Sequence, residues 1–134
     1  TLRGKGIDVN VISADSEGLR FYGSVFFMTE RMIAEKPELV AKFVRALQAG
    51  WKDAFDNKDQ AIAAARRWAP EFDPKDLPLI YDAAIPLIRA DIDGVSVNGM
   101  NDDRWRTTLK VMQDGGLLKG EVDLSKAYDK RFTQ

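Results

Sequence analysis

The chain has 134 residues, of which 45% are hydrophobic and 31% charged, with a formal net charge of -1 at pH 7. This length and apolar content suit one domain, and the balanced charge argues against a nucleic-acid partner held by bulk basicity. Cysteine and histidine are both absent, which excludes disulfides and thiolate metal sites and removes the commonest general base. No apolar run approaches the roughly 18 residues that a membrane span needs.

Two strands are predicted near the start of the chain. Apolar residues alternate with polar ones over residues 7–13, which is typical of a half-buried strand. In the run from Tyr22 to Met28, four consecutive apolar residues follow Gly23-Ser24, which predicts a strand that is covered on both faces. Because two strands alone make a marginal sheet, we expect its neighbours to be encoded before Thr1 or supplied by a second copy. A structure that shows this run as a helix, or lying flat against solvent without pairing, would end the functional interpretation given below.

Helical patterns follow these strands. Residues 29–35 predict a short helix, and Pro37 begins the clearest one, since proline suits a first helical position and apolar residues recur behind it at helical spacing. Asn57 is expected to cap a second long helix that ends before Pro70, with Trp68 on its inner face.

The next helix should begin at Asp73-Pro74 and reach about Asp91, although Pro78 and Pro86 predict a late start or a kink. Residues 95–99 are interpreted as an extended connector. The last elements are a helix capped by Asn101 and stopped by Gly115-Gly116, with Trp105 facing inward, and a short helix over residues 123–132.

These elements predict an α/β fold of two short strands followed by about five helices, mostly helical by content. We interpret the chain as a single partial domain, in which residues 1–28 form a strand and crossover segment and residues 29–134 form a helical segment. A partial domain follows because the sheet would need strands from elsewhere.

Most candidate chemical motifs have simpler structural explanations. Gly4-Lys5-Gly6 lacks phosphate-loop spacing and is interpreted as a turn, and Asp91-Ile92-Asp93-Gly94 lacks the later ligands of a calcium loop. Asp102-Asp103 fits the first turn of a helix, where the helix dipole favours acids. Arg104-Trp105-Arg106 is interpreted as charges flanking a core tryptophan rather than as a nucleic-acid surface. We therefore predict no catalytic residue, no metal site and no cofactor.

Polar residues at the ends of the two predicted strands are the candidate ligand contacts. Open α/β sheets bind ligands in crevices at their strand ends, where hydroxyls and free backbone N–H groups can reach a small polar solute. Tyr22 would supply an apolar wall with a hydroxyl, and Ser24 a hydrogen-bond donor. The full predicted set is Ser13, Ser16, Tyr22, Gly23 and Ser24.

The order of these segments resembles the C-terminal part of the solute-binding proteins of ABC importers. The similarity is to the nitrate, sulfonate and taurine binders and the related thiamine-pyrimidine family, which share a type II periplasmic-binding-protein-like fold. The matching segments are Gly6-Ile7-Asp8-Val9, Tyr22-Gly23-Ser24, the stretch from Glu35 to Phe43, Ala46, Gly50-Trp51, Asp73-Pro74, Gly94-Val95-Ser96, Asp103-Arg104-Trp105, Gly115-Gly116-Leu117 and Asp123-Leu124 through Tyr128.

This resemblance implies a protein of two lobes that close on a solute, with a complete chain about twice as long as this one. It implies a periplasmic or otherwise extracytoplasmic location with a signal peptide upstream of residue 1, an ABC permease as partner, a small polar or anionic ligand and no reaction. We also expect this chain alone to form a homodimer or a strand-swapped pair, because an interior strand would otherwise present open edges.

Two alternatives stay open. One is an enzyme of the pyrimidine-synthase branch of the same fold, which relies on histidine and lysine chemistry. The other is a helical interaction module that recruits a partner by strand addition. The sequence upstream of Thr1 would separate the transporter from the enzyme, and the solution mass would test the module.

Overall fold

The structure, a computed structural model, describes residues 2–89 and 99–133. All the regular structure in these ranges is helical. The α-helices are α1 (Glu30–Glu35), α2 (Pro37–Asp56), α3 (Lys58–Trp68), α4 (Leu77–Arg89) and α5 (Asp102–Asp114). Arg3–Lys5 and Leu124–Lys126 form single turns of 3-10 helix. The motif at residues 91–94 and the connector at residues 95–98 lie outside the described residues.

The predicted α/β class is wrong, because the described ranges contain no strand. Residues 7–13 and 22–28 have no regular secondary structure. The backbone N–H of Tyr22 donates to the side-chain Oγ1 of Thr108 at 3.0 Å instead of to a strand neighbour, and the Phe27 side chain is 92% exposed. A strand needs a row of backbone partners along at least one edge, and the part of the chain that the structure describes brings none to this segment. The functional interpretation therefore loses the support of a buried strand.

Local capping chemistry sets three of the helix starts, of which those at Pro37 and Asn101 were predicted, whereas the predicted cap at Asn57 is wrong. The Thr29 hydroxyl accepts a hydrogen bond from the Met32 N–H at 3.2 Å before α1, and Asn101 Oδ1 accepts from the Arg104 N–H at 2.9 Å before α5. Pro37 is the first residue of α2. Asn57 does precede α3, but its side chain makes no capping bond. These ends are set by neighbours within a few residues, which is why the sequence was sufficient to locate them.

The late start of α4 is confirmed. Asp73 Oδ1 accepts from the Lys75 N–H at 2.9 Å, which closes a turn in residues 73–76 before the helix begins at Leu77. Pro86 lies inside the helix without ending it. The predicted end near Asp91 lies outside the described residues.

The predicted helix over residues 123–132 is wrong beyond one turn. Asp123 Oδ1 accepts from both the backbone N–H and the hydroxyl of Ser125, and Asp129 accepts from the backbone and guanidinium of Arg131. Aspartates that bond to backbone two residues ahead stabilise turns in competition with a helix. The segment after Lys126 is therefore irregular.

Helix packing is loose in the described residues. Helices α2, α3 and α4 pack as successive neighbours and α1 packs on α2, yet the buried apolar side chains in the described residues are Val40 and Leu77, which keep 4% and 6% exposure. Trp68, predicted to face inward, is 79% exposed, and the Arg67 guanidinium lies 5.4 Å from its ring centre. This prediction is wrong: Trp68 is exposed, whereas Ala61 and Ala65 line the space between α2, α3 and α4.

Candidate functional site

A cavity of about 300 Å³ lies where four parts of the chain meet. Its walls come from residues 22–28, from α1 and the first half of α2, from residues 99–105, and from residues 126–133. The residues that line it are far apart in sequence. Its size falls at the lower end of the roughly 300–1,000 Å³ that is usual for ligand pockets.

Three aromatic rings form one wall of this cavity, which we call the aromatic wall: Tyr22, Trp105 and Tyr128. The Trp105 and Tyr128 rings are parallel, with centres 5.0 Å apart. Tyr22 meets Trp105 at 5.2 Å with a tilt of 43°. Offset and tilted arrangements of this kind are the favourable ones, each worth about 0.5–1.5 kcal/mol beyond the buried area.

Tyr22 is held at both its backbone and its hydroxyl. Its N–H donates to Thr108 Oγ1, while its hydroxyl accepts from the Asn101 N–H at 2.8 Å and donates to the Gly99 carbonyl at 3.3 Å. The Arg104 guanidinium lies 5.4 Å from the ring centre, within cation–π range. Because the hydroxyl hydrogen is already engaged, Tyr22 offers the cavity its ring rather than a hydrogen-bond donor.

Tyr128 is held through its hydroxyl by Asp102. The hydroxyl donates to Asp102 Oδ1 at 2.6 Å, and Lys130 Nζ donates to the two oxygens of the same carboxylate at 2.8 and 3.0 Å. The hydrogen bonds from Lys130 and Tyr128 hold the pKa of Asp102 below its ordinary value of 3.8. The bond to Asp102, and then burial, raise the pKa of Tyr128 above its ordinary value of 10.0.

Much of the remaining lining is apolar and comes from residues 25–28 and from α2. Phe26 and Phe43 meet edge to face with ring centres 5.8 Å apart. Apart from the aromatic wall, five polar or charged side chains line the cavity. They are Ser24, Glu30, Lys126, Asp129 and Thr133. The cavity can therefore offer aromatic faces, aliphatic contact and a small number of polar contacts.

Comparison with known proteins shows which family and which protein this chain resembles. Residues 1–61 match a family model described as NMT1/THI5 like. The riboflavin-binding protein RibY of Chloroflexus aurantiacus is 34% identical over 136 residues, which cover 98% of this chain and 38% of RibY. The chain thus spans well under half the length of the curated relative that it matches. Among solved structures there is no significant match.

The predicted family resemblance is confirmed. The match to an NMT1/THI5-like model agrees with the thiamine-pyrimidine branch expected from the sequence, and the relative is a solute binder by name. Because the family model covers the first 61 residues, it includes the first half of the cavity wall, with Tyr22 and Ser24, and excludes Trp105 and Tyr128.

The structure brings two of the five predicted contact residues together. Tyr22 and Ser24 both line the cavity, while Gly23 between them does not. Ser13 and Ser16 lie in a separate turn, where the Ser16 N–H donates to Ser13 Oγ at 3.1 Å and the Ser16 hydroxyl donates to the Ser13 carbonyl at 2.7 Å. Ligand contact by any of the five stays a prediction.

Sequence reasoning missed the second half of the aromatic wall. Trp105 and Tyr128 were interpreted as packing residues, because each fell on an apolar helical face. Tyr22 and Thr108 are 86 residues apart, so nothing local linked them. The usable signal was the presence of unassigned aromatic residues in three distant segments, which allows an aromatic cluster but does not locate one.

A second cavity of about 450 Å³ lies between α2, α3 and α4. It is lined by alanines and aliphatic residues together with Trp51 and Tyr81, whose hydroxyl donates to the Ala54 carbonyl at 2.6 Å. Across the described ranges no three acidic side chains gather as metal ligands would. None of the described helices combines the length and apolar character needed to span a bilayer.

Proposed function

We propose that this chain is part of an extracytoplasmic solute-binding protein that delivers its ligand to an ABC permease, and that the ligand occupies the cavity beside the aromatic wall. The resemblance to a solute-binding family and to a riboflavin-binding relative supports a binding role. The permease, the location and the rest of the binding protein are part of the proposal, since this chain spans 38% of that relative.

The single observation that supports the proposed ligand class is the parallel stack of Trp105 on Tyr128, extended by Tyr22. Aromatic faces contribute binding energy to flat π-systems and little to small compact ions. A nitrate, sulfonate or taurine ligand would need several donors or cations, and the cavity has Lys126 as its one lining cation among the described residues, beside Glu30 and Asp129. We therefore favour a planar aromatic solute, such as a flavin or a pyrimidine, over the small anions expected from the sequence.

Two of the predicted contacts have definite roles in this proposal. The Tyr22 ring, fixed by its bonds to Thr108 and Asn101, stacks on the flat ligand. The Ser24 hydroxyl donates to a polar edge of the ligand. Fixed rings raise affinity because little side-chain entropy is lost when the ligand binds.

Riboflavin is the probe that tests this proposal. We expect its fluorescence to be quenched saturably by the protein, and an excess of taurine or nitrate to displace none of it. Trp105→Leu should weaken binding roughly 5- to 160-fold, the loss expected when a stacking contact worth about 1–3 kcal/mol is removed. Trp68→Leu is the matched control, since Trp68 lies exposed on α3 outside the cavity.

Two outcomes would overturn the proposal: no saturable binding of riboflavin or a pyrimidine, or full displacement by a small anion. Equal losses in Trp105→Leu and Trp68→Leu would show that any binding occurs elsewhere.

The predicted serine contacts can be separated by a second pair of variants. Ser24→Ala should weaken riboflavin binding roughly 2- to 12-fold, the loss expected for one hydrogen bond. Ser16→Ala should leave it unchanged, because Ser16 is engaged with Ser13 outside the cavity. A loss in Ser16→Ala alone would move the ligand to the turn at residues 13–16.

The pyrimidine-synthase alternative has less support in this chain. No histidine is present, and the named relative is a binding protein. Recovery of unchanged riboflavin and pyrimidine after prolonged incubation, judged by mass spectrometry, is the result expected of a binder.

A further inference from the structure

We propose that Asp102 is a positioning residue for the aromatic wall: it holds Tyr128 parallel to Trp105 and thereby sets the affinity for a flat ligand that it does not itself touch. This inference rests on the proposed binding function. Asp102 is absent from the cavity lining, whereas Tyr128 and Trp105 both belong to it. Its effect on a ligand must therefore pass through Tyr128.

Tyr128 depends on Asp102 because its own segment has little internal structure. The residues around it follow a single 3-10 turn, Leu124–Lys126, and form no helix. Asp102 accepts from the Tyr128 hydroxyl at 2.6 Å and from Lys130 Nζ at 2.8 and 3.0 Å. One carboxylate thus fastens two residues of the C-terminal segment to the first turn of α5.

The same turn also fixes the partner ring. Trp105 lies three residues after Asp102, so both side chains project from one side of α5. The Trp105 indole N–H lies 3.2 Å from the sulfur of Met100. Asp102 therefore holds the hydroxyl of Tyr128 next to the residue on which the Tyr128 ring stacks, with an interplanar angle of 0°.

The helix dipole explains why acids occur at Asp102 and Asp103, but it does not explain the tertiary contacts of Asp102. Asp103 pairs with Arg106 on its own helix and is exposed. The two neighbouring aspartates thus share the dipole and differ in their contact with the C-terminal segment. This makes Asp103→Asn a matched control for Asp102.

The charged and titratable groups facing Asp102 are Lys130 and Arg106, with Tyr128 as a hydrogen-bond donor. The same carboxylate raises the pKa of Tyr128, whereas Arg106 acts in the opposite direction. Removing the carboxylate should therefore lower the pKa of Tyr128 toward its ordinary value of 10.0. This ionisation can be followed by ultraviolet absorbance, with Tyr128→Phe identifying its share of the signal.

The test is a double-mutant cycle with riboflavin as the probe. Asp102→Ala and Tyr128→Phe should each weaken binding roughly 2- to 12-fold, as for one lost hydrogen bond, and the double variant should lose no more than either one. Asp103→Asn should bind like the parent protein. The affinity of Asp102→Asn, which keeps an acceptor of the same shape, should lie between those of Asp102→Ala and the parent protein. This variant keeps the proposal testable if Asp102→Ala does not fold.

The results separate this inference from the proposed function. If the parent protein binds riboflavin and Asp102→Ala binds it equally well, or if the losses in the cycle add, the inference is overturned while the binding function stands. If the parent protein binds no flavin or pyrimidine, the function fails, and the positioning of a ligand fails with it. A lowered Tyr128 pKa in Asp102→Ala together with weakened, non-additive binding supports the inference.

Discussion

At the scale of single residues, Thr108 and Asp102 connect the N-terminal and C-terminal segments to one helix. Thr108 is buried in α5 and accepts from the Tyr22 N–H, while its hydroxyl hydrogen is donated to the Arg104 carbonyl at 2.8 Å. Asp102 binds the C-terminal segment through Tyr128 and Lys130. Side chains of α5 therefore replace the strand pairing that was expected at Tyr22.

Thr108→Val should destabilise the protein by about 1–3 kcal/mol, because it leaves the Tyr22 N–H without an acceptor in a partly buried place. Urea unfolding followed by circular dichroism measures the change. Thr107→Val is the control, since the Thr107 hydroxyl also bonds back along the helix, to the Asp103 carbonyl at 3.0 Å. Equal destabilisation by both variants would contradict a tertiary role for Thr108.

The attachment of the C-terminal segment should depend on pH at both ends of the scale. A carboxylate with a lowered pKa stabilises the folded state above its ordinary value of 3.8 and loses that contribution as the pH falls below it. A tyrosine with a raised pKa stabilises the fold below its ordinary value of 10.0 and loses that contribution as the pH rises above it. The segment should therefore be held best between about pH 4 and pH 10.

The indole N–H signal of Trp105 in NMR spectra reports this attachment, because Tyr128 stacks on that ring. In Asp102→Asn the change of this NMR signal at acidic pH should disappear, whereas Asp103→Asn should keep it. A change at acidic pH that persists in Asp102→Asn would assign the pH dependence to other groups, such as Asp123 or Asp129, whose pKa values are also lowered.

At the scale of elements, the helices that formed as predicted are those with strong local signals. Helix α2 begins at a proline and carries a continuous apolar stripe, and Val40 on that stripe is buried. The predicted C-terminal helix failed because Asp123 and Asp129 close turns instead. Local capping and turn chemistry therefore decided both the success and the failure.

Helix α4 should dock through its first residue. Leu77 is 6% exposed and Leu79, two positions later, is 42% exposed. Leu77→Ala should cost about 2–5 kcal/mol of unfolding free energy, since it leaves a void in a packed place, while Leu79→Ala should cost under about 1 kcal/mol. Thermal and urea unfolding of the two variants provide the comparison, and similar values would mean that α4 does not pack through Leu77.

At the scale of the whole molecule, the chain exposes more surface than a compact protein of its mass. Its accessible surface is 10490 Å² at 15.0 kDa, whereas a compact monomer of that mass exposes about 7,000 Å². The exposed apolar side chains include Phe26 and Phe27 in the segment that was predicted to be buried. The excess of about 3,500 Å² exceeds the roughly 800 Å² that each partner contributes to a standard interface.

We expect the isolated chain to associate with itself through this apolar segment. Light scattering after size exclusion should give a mass above 15.0 kDa that rises with concentration, and Phe27→Ser should shift it toward the monomer because it removes the most exposed aromatic ring. Lys119→Ser is the control, because Lys119 is an exposed residue that follows α5 in the sequence. A monomer at every concentration in both variants would contradict this expectation.

The candidate site was half predictable from the sequence. Tyr22 and Ser24 were identified because they lie in a short polar segment next to an apolar run. Trp105 and Tyr128 could not be assigned from the sequence. The role of Trp105 comes from contacts with Tyr22 across more than 75 positions of the chain, and the role of Tyr128 comes from a non-helical turn. Helical periodicity alone cannot distinguish a core aromatic from one that lines a cavity.

By itself, the sequence determined where the helices α1, α2, α3 and α5 begin, the family resemblance and the absence of histidine and cysteine. Capping, proline placement and apolar spacing act over a few residues, so they can be recognised without coordinates. Only the tertiary structure decided that residues 22–28 form no strand, and that three distant aromatic side chains make one wall. Both outcomes depend on which partners reach a segment through space, and the order of residues along the chain does not specify those partners.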